Sequence, residues 1–254
     1  MIKFLLKGLG LLIPILLAGP VLVLLGSNTM SESWRTASRE SAGIAPKPSD
    51  VSEAVVQVYA ARAYSWRGAF GVHGWISVKP KNADHYTVYQ VIGWRVQRGG
   101  SAVVVMQDLP DRDWFGSAPE LLLHKQGAGV DALILKIDEA ARSYPYADSY
   151  TLWPGPNSNS FIGWIARSVP ELRLDLPPTA IGKDYLGPNT FVGKATSGTG
   201  YQLSLFGLLG VTAAVEEGLE INIAGLTFGI DFNDLNLKLP GFGRVGPKPD
   251  PYKS

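Results

Sequence analysis

The sequence predicts an α+β fold, in which helices pack on a mostly antiparallel sheet. An N-terminal transmembrane helix precedes this domain, and a Gly-rich C-terminal β segment follows it. Three observations predict this arrangement: an uncharged apolar run at the start, a group of short runs dense in β-branched and aromatic residues after it, and helical spacing of apolar residues further on. A block of strands followed by helices is typical of the α+β class.

The composition excludes several kinds of protein. The 254 residues include no cysteine, which rules out a disulfide scaffold, a cysteine-ligated metal site and a cysteine nucleophile. With 23 Lys and Arg against 22 Asp and Glu, the formal net charge is +1, too little for a nucleic-acid partner. His73, His85 and His124 lack the spacing of a helix-borne zinc site, and the sequence has no nucleotide-binding glycine motif. We therefore predict neither a metal nor a cofactor.

Residues 1–26 form the first predicted element, a signal anchor that spans a membrane. Residues 8–26 carry no charge and would extend about 28 Å as a helix, close to the thickness of the hydrocarbon core. A cleaved signal peptide is the alternative. Because Leu24 and Leu25 stand where its cleavage site would need a small residue, we favour the uncleaved anchor.

The charges around this anchor predict its orientation. Lys3 and Lys7 precede the apolar run and no lysine follows it closely, which puts the N-terminus in the cytoplasm. The expected location is the bacterial inner membrane, crossed once by residues 4–26, with the C-terminal domain on the periplasmic side. The inner membrane is thus the first predicted partner.

Beyond the anchor, the chain divides into a polar linker at 27–50, an α+β domain at 51–199, a C-terminal β segment at 200–239 and a flexible tail at 240–254. The linker ends in a Pro-x-Pro pattern, and the tail is rich in Gly and Pro. Residues 200–239 alternate between apolar and polar, and their longest apolar run is too short to cross a membrane. This pattern favours strands.

The α+β domain begins with four predicted strands. They are rich in β-branched and aromatic residues and are separated by turn residues: 55–61, 72–78, 86–94 and 102–106. Apolar residues then follow helical spacing at 119–124 and 130–143. Another predicted helix begins near Asn157 and ends before Pro170.

Two segments carry residues that could perform chemistry. His73 lies on the second predicted strand beside Gly74, which would leave its ring accessible. Asn157, Ser158 and Asn159 follow a Pro/Gly-rich approach to a helix N-terminus, where backbone N–H groups stabilise negative charge. A hydroxyl there is well placed to attack a carbonyl if a base takes its proton.

The order of these segments resembles the circularly permuted papain-like proteins, the branch with lecithin-retinol-acyltransferase-like and deSUMOylating-peptidase-like members. In that family a strand histidine precedes a helix that begins with an Asn-Cys-Asn-Thr-Phe-like sequence. Residues 157–161, Asn-Ser-Asn-Ser-Phe, match this start with Ser158 in place of the cysteine. The resemblance implies that Ser158 is the nucleophile, that His73 is the general base, and that the helix start with Asn157 and Asn159 holds the oxyanion.

A structural role is the alternative for each of these residues. Ser158 would cap the helix, and His73 would be a hydrogen-bonded histidine without catalytic function. A serine hydroxyl is far less acidic than a thiol and depends on a well-aligned base. Tryptophans near both segments either pack in the core or line a cleft. Nearby arginines, including Arg67 and Arg98, either meet an anionic ligand or face solvent.

Nearly the whole chain resembles family 3750 of the domains of unknown function, which are uncharacterised bacterial membrane-anchored envelope proteins. The stretches that carry this resemblance include EAVVQVYAARAYSWRGAFGVHGWISVKP and WPGPNSNSFIGWIARSVPEL. The resemblance implies an envelope protein but brings no activity with it.

Together these observations predict a membrane-anchored cell-envelope protein that is a hydrolase or acyltransferase, with a Ser/His pair acting on amide or ester bonds. Its expected ligand is an envelope peptide, peptidoglycan or lipid. The alternative is a non-catalytic protein on the same fold that binds an envelope ligand or serves as a scaffold.

Overall fold

Two antiparallel sheets organise the part of the chain that the structure describes, which is residues 2–26 and 33–253 of a computed structural model, with side chains from Ile13 onward. Helices pack on the first sheet. These observations confirm the predicted α+β class.

The first sheet has the order β4-β3-β2-β1-β5. Its strands, all antiparallel to their neighbours, are β1 (Val55–Arg62), β2 (Val72–Lys79), β3 (Thr87–Val91), β4 (Val103–Gln107) and β5 (Glu120–Gln126). The first four confirm the predicted strands. The helix predicted at 119–124 is wrong, because this segment pairs with β1 as an outer strand and only Leu123 of its leucines is buried. A short apolar run of this kind does not distinguish a helix turn from a strand.

The α-helices of the described residues are α1 (Ile2–Gly26), α2 (Val130–Arg142) and α3 (Ser158–Ser168). Helices α2 and α3 pack on one face of the first sheet, where Ile76 and Val78 of β2 meet Ile134, Ile137 and Ile162. Helix α3 contacts β2 directly. This packing brings the helix start at Asn157 to the sheet.

The opposite face of the first sheet is covered by the segment predicted to be a linker. In residues 33–50, Ala37 is buried and Ser41 forms a bridge with Arg112. The buried Asp111 carboxylate accepts hydrogen bonds from the backbone N–H groups of Ile44 and Ala45. Because this segment satisfies a buried carboxylate, it packs as part of the domain and is not a tether. Residues 27–32 of the predicted linker lie outside the described residues.

The second sheet is a meander in which each strand pairs with the next along the chain. Its strands are β6 (Val192–Lys194), β7 (Gly200–Leu205), β8 (Leu209–Ala214), β9 (Gly218–Ile223), β10 (Leu226–Asp231), β11 (Asn236–Leu239) and β12 (Gly243–Val245). The predicted β segment at 200–239 therefore extends in both directions. The prediction of a flexible tail at residues 240–254 is wrong in its bounds, because β12 lies within this range. The end of the chain is also bonded to the first sheet, since the backbone N–H of His124 donates to Pro251 O at 2.7 Å.

A buried ionic cluster joins the second sheet to residues 173–185. Glu220 of β9 pairs with both Lys183 and Lys238, and Lys238 also contacts Asp175, which in turn pairs with Arg244. Burial lowers the pKa of Lys183, but the carboxylates of Asp184 and Glu220 outweigh it and hold this pKa above its ordinary value. The loop that contains Lys183 is thus salt-bridged to the sheet.

Helix α1 contacts both the half of the molecule that contains the first sheet and the half that contains the second sheet. It contacts the 3₁₀ helix Ser65–Ala69, and Gly19 and Pro20 approach the turn between β11 and β12 closely at Pro240 and Gly241. Within the described residues, no helix is both long enough and apolar enough to cross a membrane. The side chains of residues 1–12, which belong to the predicted anchor, lie outside the description.

We expect Glu220→Gln to destabilise the fold by about 3 kcal/mol, because it leaves two buried ammonium groups without their shared carboxylate. Urea unfolding followed by tryptophan fluorescence measures the loss. The matched control is Glu171→Gln, which breaks the exposed pair with Lys136 and should cost less than about 1 kcal/mol. Equal losses in the two variants would contradict a stabilising role of the cluster.

Candidate functional site

A cavity of about 1210 Å³ opens where the first sheet, helix α3 and the second sheet meet. Its walls come from the 3₁₀ helix Ser65–Ala69, the start of β2, the 3₁₀ helix Gly93–Arg98, the start of α3 and the turn between β9 and β10. It is larger than the usual 300 to about 1000 Å³ of a small-molecule site. Such a volume can hold an extended ligand.

Aromatic side chains dominate the lining. They come from the segment before β1 and from the part of the chain between β1 and α3: Trp34, Tyr64, Trp66, Phe70, Trp94, Trp114, Phe115, Tyr150 and Trp153. Trp114 and Phe115 lie edge to face with ring centroids 5.0 Å apart, and Trp153 Nε1 donates to Ala224 O at 2.8 Å. The hydrogen bond fixes one aromatic wall to the second sheet. The interior is therefore largely aromatic.

The charges at the cavity are all positive. Arg39, Arg67 and Arg98 line it, and none of its described lining residues is acidic. The Arg39 guanidinium lies 4.5 Å from the Phe115 ring centroid, and that of Arg67 lies 5.3 Å from Trp66. These stacked guanidinium groups keep donors available for an anion. The site thus combines an apolar interior with a cationic lining.

Asn157, and not Ser158, caps helix α3. Its side-chain oxygen accepts hydrogen bonds from the backbone N–H groups of Asn159 and Ser160, and Ser160 Oγ accepts from the Asn157 N–H at 2.7 Å. The Asn157 Nδ2 group donates to the carbonyls of Leu152 and Ile181. The helix thus begins near Asn157, as predicted, and Ser158 is not its cap.

Asn159 ties the helix to β2. Its Nδ2 donates to Val72 O at 3.0 Å and to Ile181 O at 2.9 Å. A Cβ at Gly74 would lie 3.2 Å from Asn159 Oδ1, so the glycine admits the helix and does not expose the neighbouring histidine. The side-chain donors of Asn157 and Asn159 are both bonded to backbone carbonyls. Neither is free to hold an oxyanion.

Ser158 lies at the first position of α3 and lines the cavity. Within the part of the chain that the structure describes, residues 2–26 and 33–253, the Ser158 hydroxyl has no hydrogen-bond partner. A hydroxyl at a helix N-terminus in an apolar cavity is chemically accessible to a bound ligand.

His73 also lines the cavity but belongs to the other face of β2. Gly74, Ile76 and Val78 face α3, so alternation along the strand directs His73 and Trp75 to the opposite side. His73 Nε2 donates to Gln90 Oε1 at 3.2 Å, and its ring stacks on Trp114 with centroids 3.7 Å apart. No hydrogen bond joins it to Ser158 among the residues described.

Burial lowers the pKa of His73 to about 4, although the Gln90 hydrogen bond opposes this shift. The imidazole is therefore neutral at pH 7. Its stacking and hydrogen bond are those expected for the structural alternative, in which the ring supports Trp114.

Sequence reasoning identified residues on two walls of this cavity and missed the others. Trp34 and Arg39 lie in the segment interpreted as a linker. Ala224 and Leu226 lie at the turn between β9 and β10, far along the chain from His73 and Ser158. A tryptophan within a polar segment was the available signal, because a tether has no need of one.

The shifted pKa of His73 predicts a pH-dependent stability. The unfolded chain, with an ordinary pKa of about 6.5, binds the proton more readily than the folded chain. The free energy of unfolding should therefore fall as pH decreases from about 6.5 to 4, and should level off above this window. His73→Gln, which keeps a donor for Gln90, should flatten this slope in urea unfolding.

The matched control is His85→Gln at an exposed position, which should leave the slope in place. His124, whose pKa burial also lowers, will leave a residual slope in the His73 variant. An unchanged slope in His73→Gln would show that this ring is not the buried group that titrates.

Comparison with known proteins yields one family. Residues 53–185 match the family described as "Protein of unknown function (DUF3750)", and these residues make up just over half of the chain. No curated protein and no solved structure matches. None of these comparisons supports the papain-like resemblance. The matched segment holds β1 to β5, α2, α3 and most of the cavity lining, and on this match the chain belongs to the DUF3750 family.

Proposed function

We propose that the protein binds an anionic amphiphile with a long acyl chain, as a membrane-associated binding protein of the bacterial envelope. The observation that carries this proposal is the aromatic cavity of about 1210 Å³ whose charged lining residues are arginines. Apolar walls favour transfer of the chain from water, and burial of each methylene is worth about 0.8 kcal/mol.

The two ends of such a ligand would have different surroundings. Trp114, Phe115 and Trp153 offer flat apolar surfaces for the chain. Arg39 and Arg67, already stacked on aromatic rings, would pair with a carboxylate or phosphate head group. The side-chain amides of Asn157 and Asn159 are already bonded to backbone carbonyls, which leaves fewer donors for a peptide or glycan.

The membrane location rests on the sequence. The uncharged run at residues 8–26 behind Lys3 and Lys7 supports an anchor in the inner membrane with the domain in the periplasm. A lipid-like ligand is abundant at such a surface. The proposed location and the proposed ligand are therefore consistent with each other.

Titration of the detergent-free chain with oleate and with oleyl alcohol tests the proposal, with tryptophan fluorescence as the readout. We expect oleate to bind more tightly than the uncharged alcohol. Arg67→Gln should weaken oleate binding about fivefold, equal to about 1 kcal/mol, and leave binding of the alcohol unchanged.

Arg142→Gln is the matched control, because Arg142 is an exposed arginine on α2 that pairs with Asp138 away from the cavity. It should bind both compounds like the unaltered chain. Equal affinity for the acid and the alcohol, or no saturable binding of either, would refute the proposal.

One observation favours a second candidate, an acyl hydrolase or acyltransferase. The Ser158 hydroxyl lies in the same cavity at the N-terminus of α3 and has no hydrogen-bond partner among the described residues. Attack on an ester carbonyl would require a base, and His73 would have to leave Gln90 and reach around the end of β2 to serve.

Labelling with a fluorophosphonate tests this second candidate. An activated Ser158 predicts labelling that Ser158→Ala abolishes and that His73→Gln lowers at least tenfold. Ser168→Ala is the control, because this serine ends the same helix and its hydroxyl donates to Trp164 O. Equal labelling of the Ser158 and Ser168 variants would exclude Ser158 as the nucleophile.

A further inference from the structure

The outward face of the second sheet is apolar from β7 to β12, and the outer strand β6 adds one exposed lysine, Lys194, at its edge opposite Tyr201. Directly opposite residues of neighbouring strands form two rows on this face, and each row runs across the strands from one edge of the sheet toward the other. One row is Val192, Leu203, Val211, Ile221 and Phe228, and the other is Tyr201, Ala213, Leu219, Ile230, Leu237 and Val245. Most of these side chains are more than 40% exposed, with Leu203 at 58%. Contiguous apolar surface of this kind marks contact with another protein or with a membrane.

The inward face of the same strands is polar. It carries the buried Thr212 and the buried Gln202, Glu220, Asn222 and Lys238, and the last four bond to the loop at 173–185. The charged residues of β7 to β12 all belong to this face or to its buried end: Glu220, Asp231, Lys238 and Arg244. The sheet thus reverses the usual arrangement, in which the apolar face is buried and the polar face is in water. Such a reversal needs an apolar surrounding on the outer side.

Aromatic side chains surround the apolar face. Phe191, Phe206, Phe232 and Phe242 are exposed in the loops and turns at the strand ends, and Tyr201 lies near one edge of the face. Phe191 and Phe206 contact each other edge to face at 5.6 Å. Aromatic rings at the border of an apolar surface are typical of membrane interfaces.

Helix α1 continues the same surface. Gly19 and Pro20 pack on the turn between β11 and β12, and apolar side chains of the helix, among them Leu22 and Leu25, are exposed beside it. The uncharged residues 19–25 of the helix thus lie next to the apolar sheet face. Two adjoining apolar surfaces point to one large apolar phase as their common occupant, and Lys194 at the edge of the face can extend its ammonium group to the polar boundary of that phase.

We propose that this outward face of the second sheet lies on a phospholipid bilayer and seats the domain on the membrane surface. The bonded, polar inner face keeps the sheet attached to the domain while the outer face enters the acyl-chain boundary. The turn between β9 and β10, at one end of the face, also forms a wall of the cavity through Ala224 and Leu226. The proposal rests on the sheet and on α1, and it does not depend on the identity of the cavity ligand.

A site-specific probe tests this contact, and the absence of native cysteine makes the labelling clean. The full-length Ile221→Cys chain, labelled with a nitrobenzoxadiazole fluorophore, is reconstituted in vesicles of phosphatidylethanolamine and phosphatidylglycerol. We expect a blue-shifted emission and a several-fold quenching by lipids that carry a doxyl group on the acyl chain.

Leu135→Cys is the matched control, because Leu135 is a 72% exposed leucine on α2, in the first half of the molecule. Its probe should show neither effect. Quenching that is equal at both positions, or absent at Ile221, would overturn the proposal. A blue shift at Ile221 without quenching by the doxyl lipid would also overturn it and indicate that a second copy of the chain covers the face.

A second variant separates the sheet from the anchor. With the probe at Leu203→Cys, an added Ile221→Lys places a charge in the same row two strands away and should reduce lipid quenching several-fold, while Leu135→Lys should not. Both positions are exposed, and circular dichroism checks that the fold is kept. An unchanged signal in Ile221→Lys would overturn the proposal. Because the oleate titration uses no vesicles, its failure would leave this result standing.

Discussion

The pairing of Glu220 with two buried lysines is the interaction on which the arrangement of the second sheet depends. Lys183 comes from the loop after α3 and Lys238 from β11, so one carboxylate joins the domain to the sheet. Burying these charges costs free energy unless each has a partner, and the network supplies one to each. A polar interface of this kind fixes which face of the sheet is inside. The apolar residues of the same strands are consequently directed outward.

The start of α3 sets the shape of the cavity. Asn157 and Asn159 use their side-chain amides to join the helix to Ile181 and to the beginning of β2, and Gly74 permits this close approach. The backbone N–H groups of the helix start and the Ser158 hydroxyl are thereby held at the cavity wall. The same bonds occupy the amides that an acyl-transfer enzyme would use for an oxyanion. This geometry favours binding over catalysis.

Cavity, helix α1 and outward sheet face adjoin one another. The turn at Ala224 and Leu226 belongs to both the sheet and the cavity wall, and α1 contacts the 3₁₀ helix that carries Trp66 and Arg67. The proposed ligand site and the proposed bilayer contact therefore share the turn at Ala224 and Leu226 as a common border. The proposed ligand and the proposed membrane contact explain two separate features of the molecule, and they are chemically compatible.

The sequence by itself determined the α+β class, the first four strands and the position of helix α3, because local periodicity, turn residues and the Asn157 cap encode these elements within a few residues of one another. The two residues that the sequence proposed as a pair, His73 and Ser158, both line the cavity. Only the tertiary structure decided that α3, with Ser158, packs on one face of β2 while the His73 side chain points to the other face. A one-residue difference in register would have reversed the direction of that side chain. Likewise, alternation in residues 200–239 predicted strands but not which face is buried. That choice depends on ion pairs between residues such as Lys183 and Glu220, which are far apart in the chain.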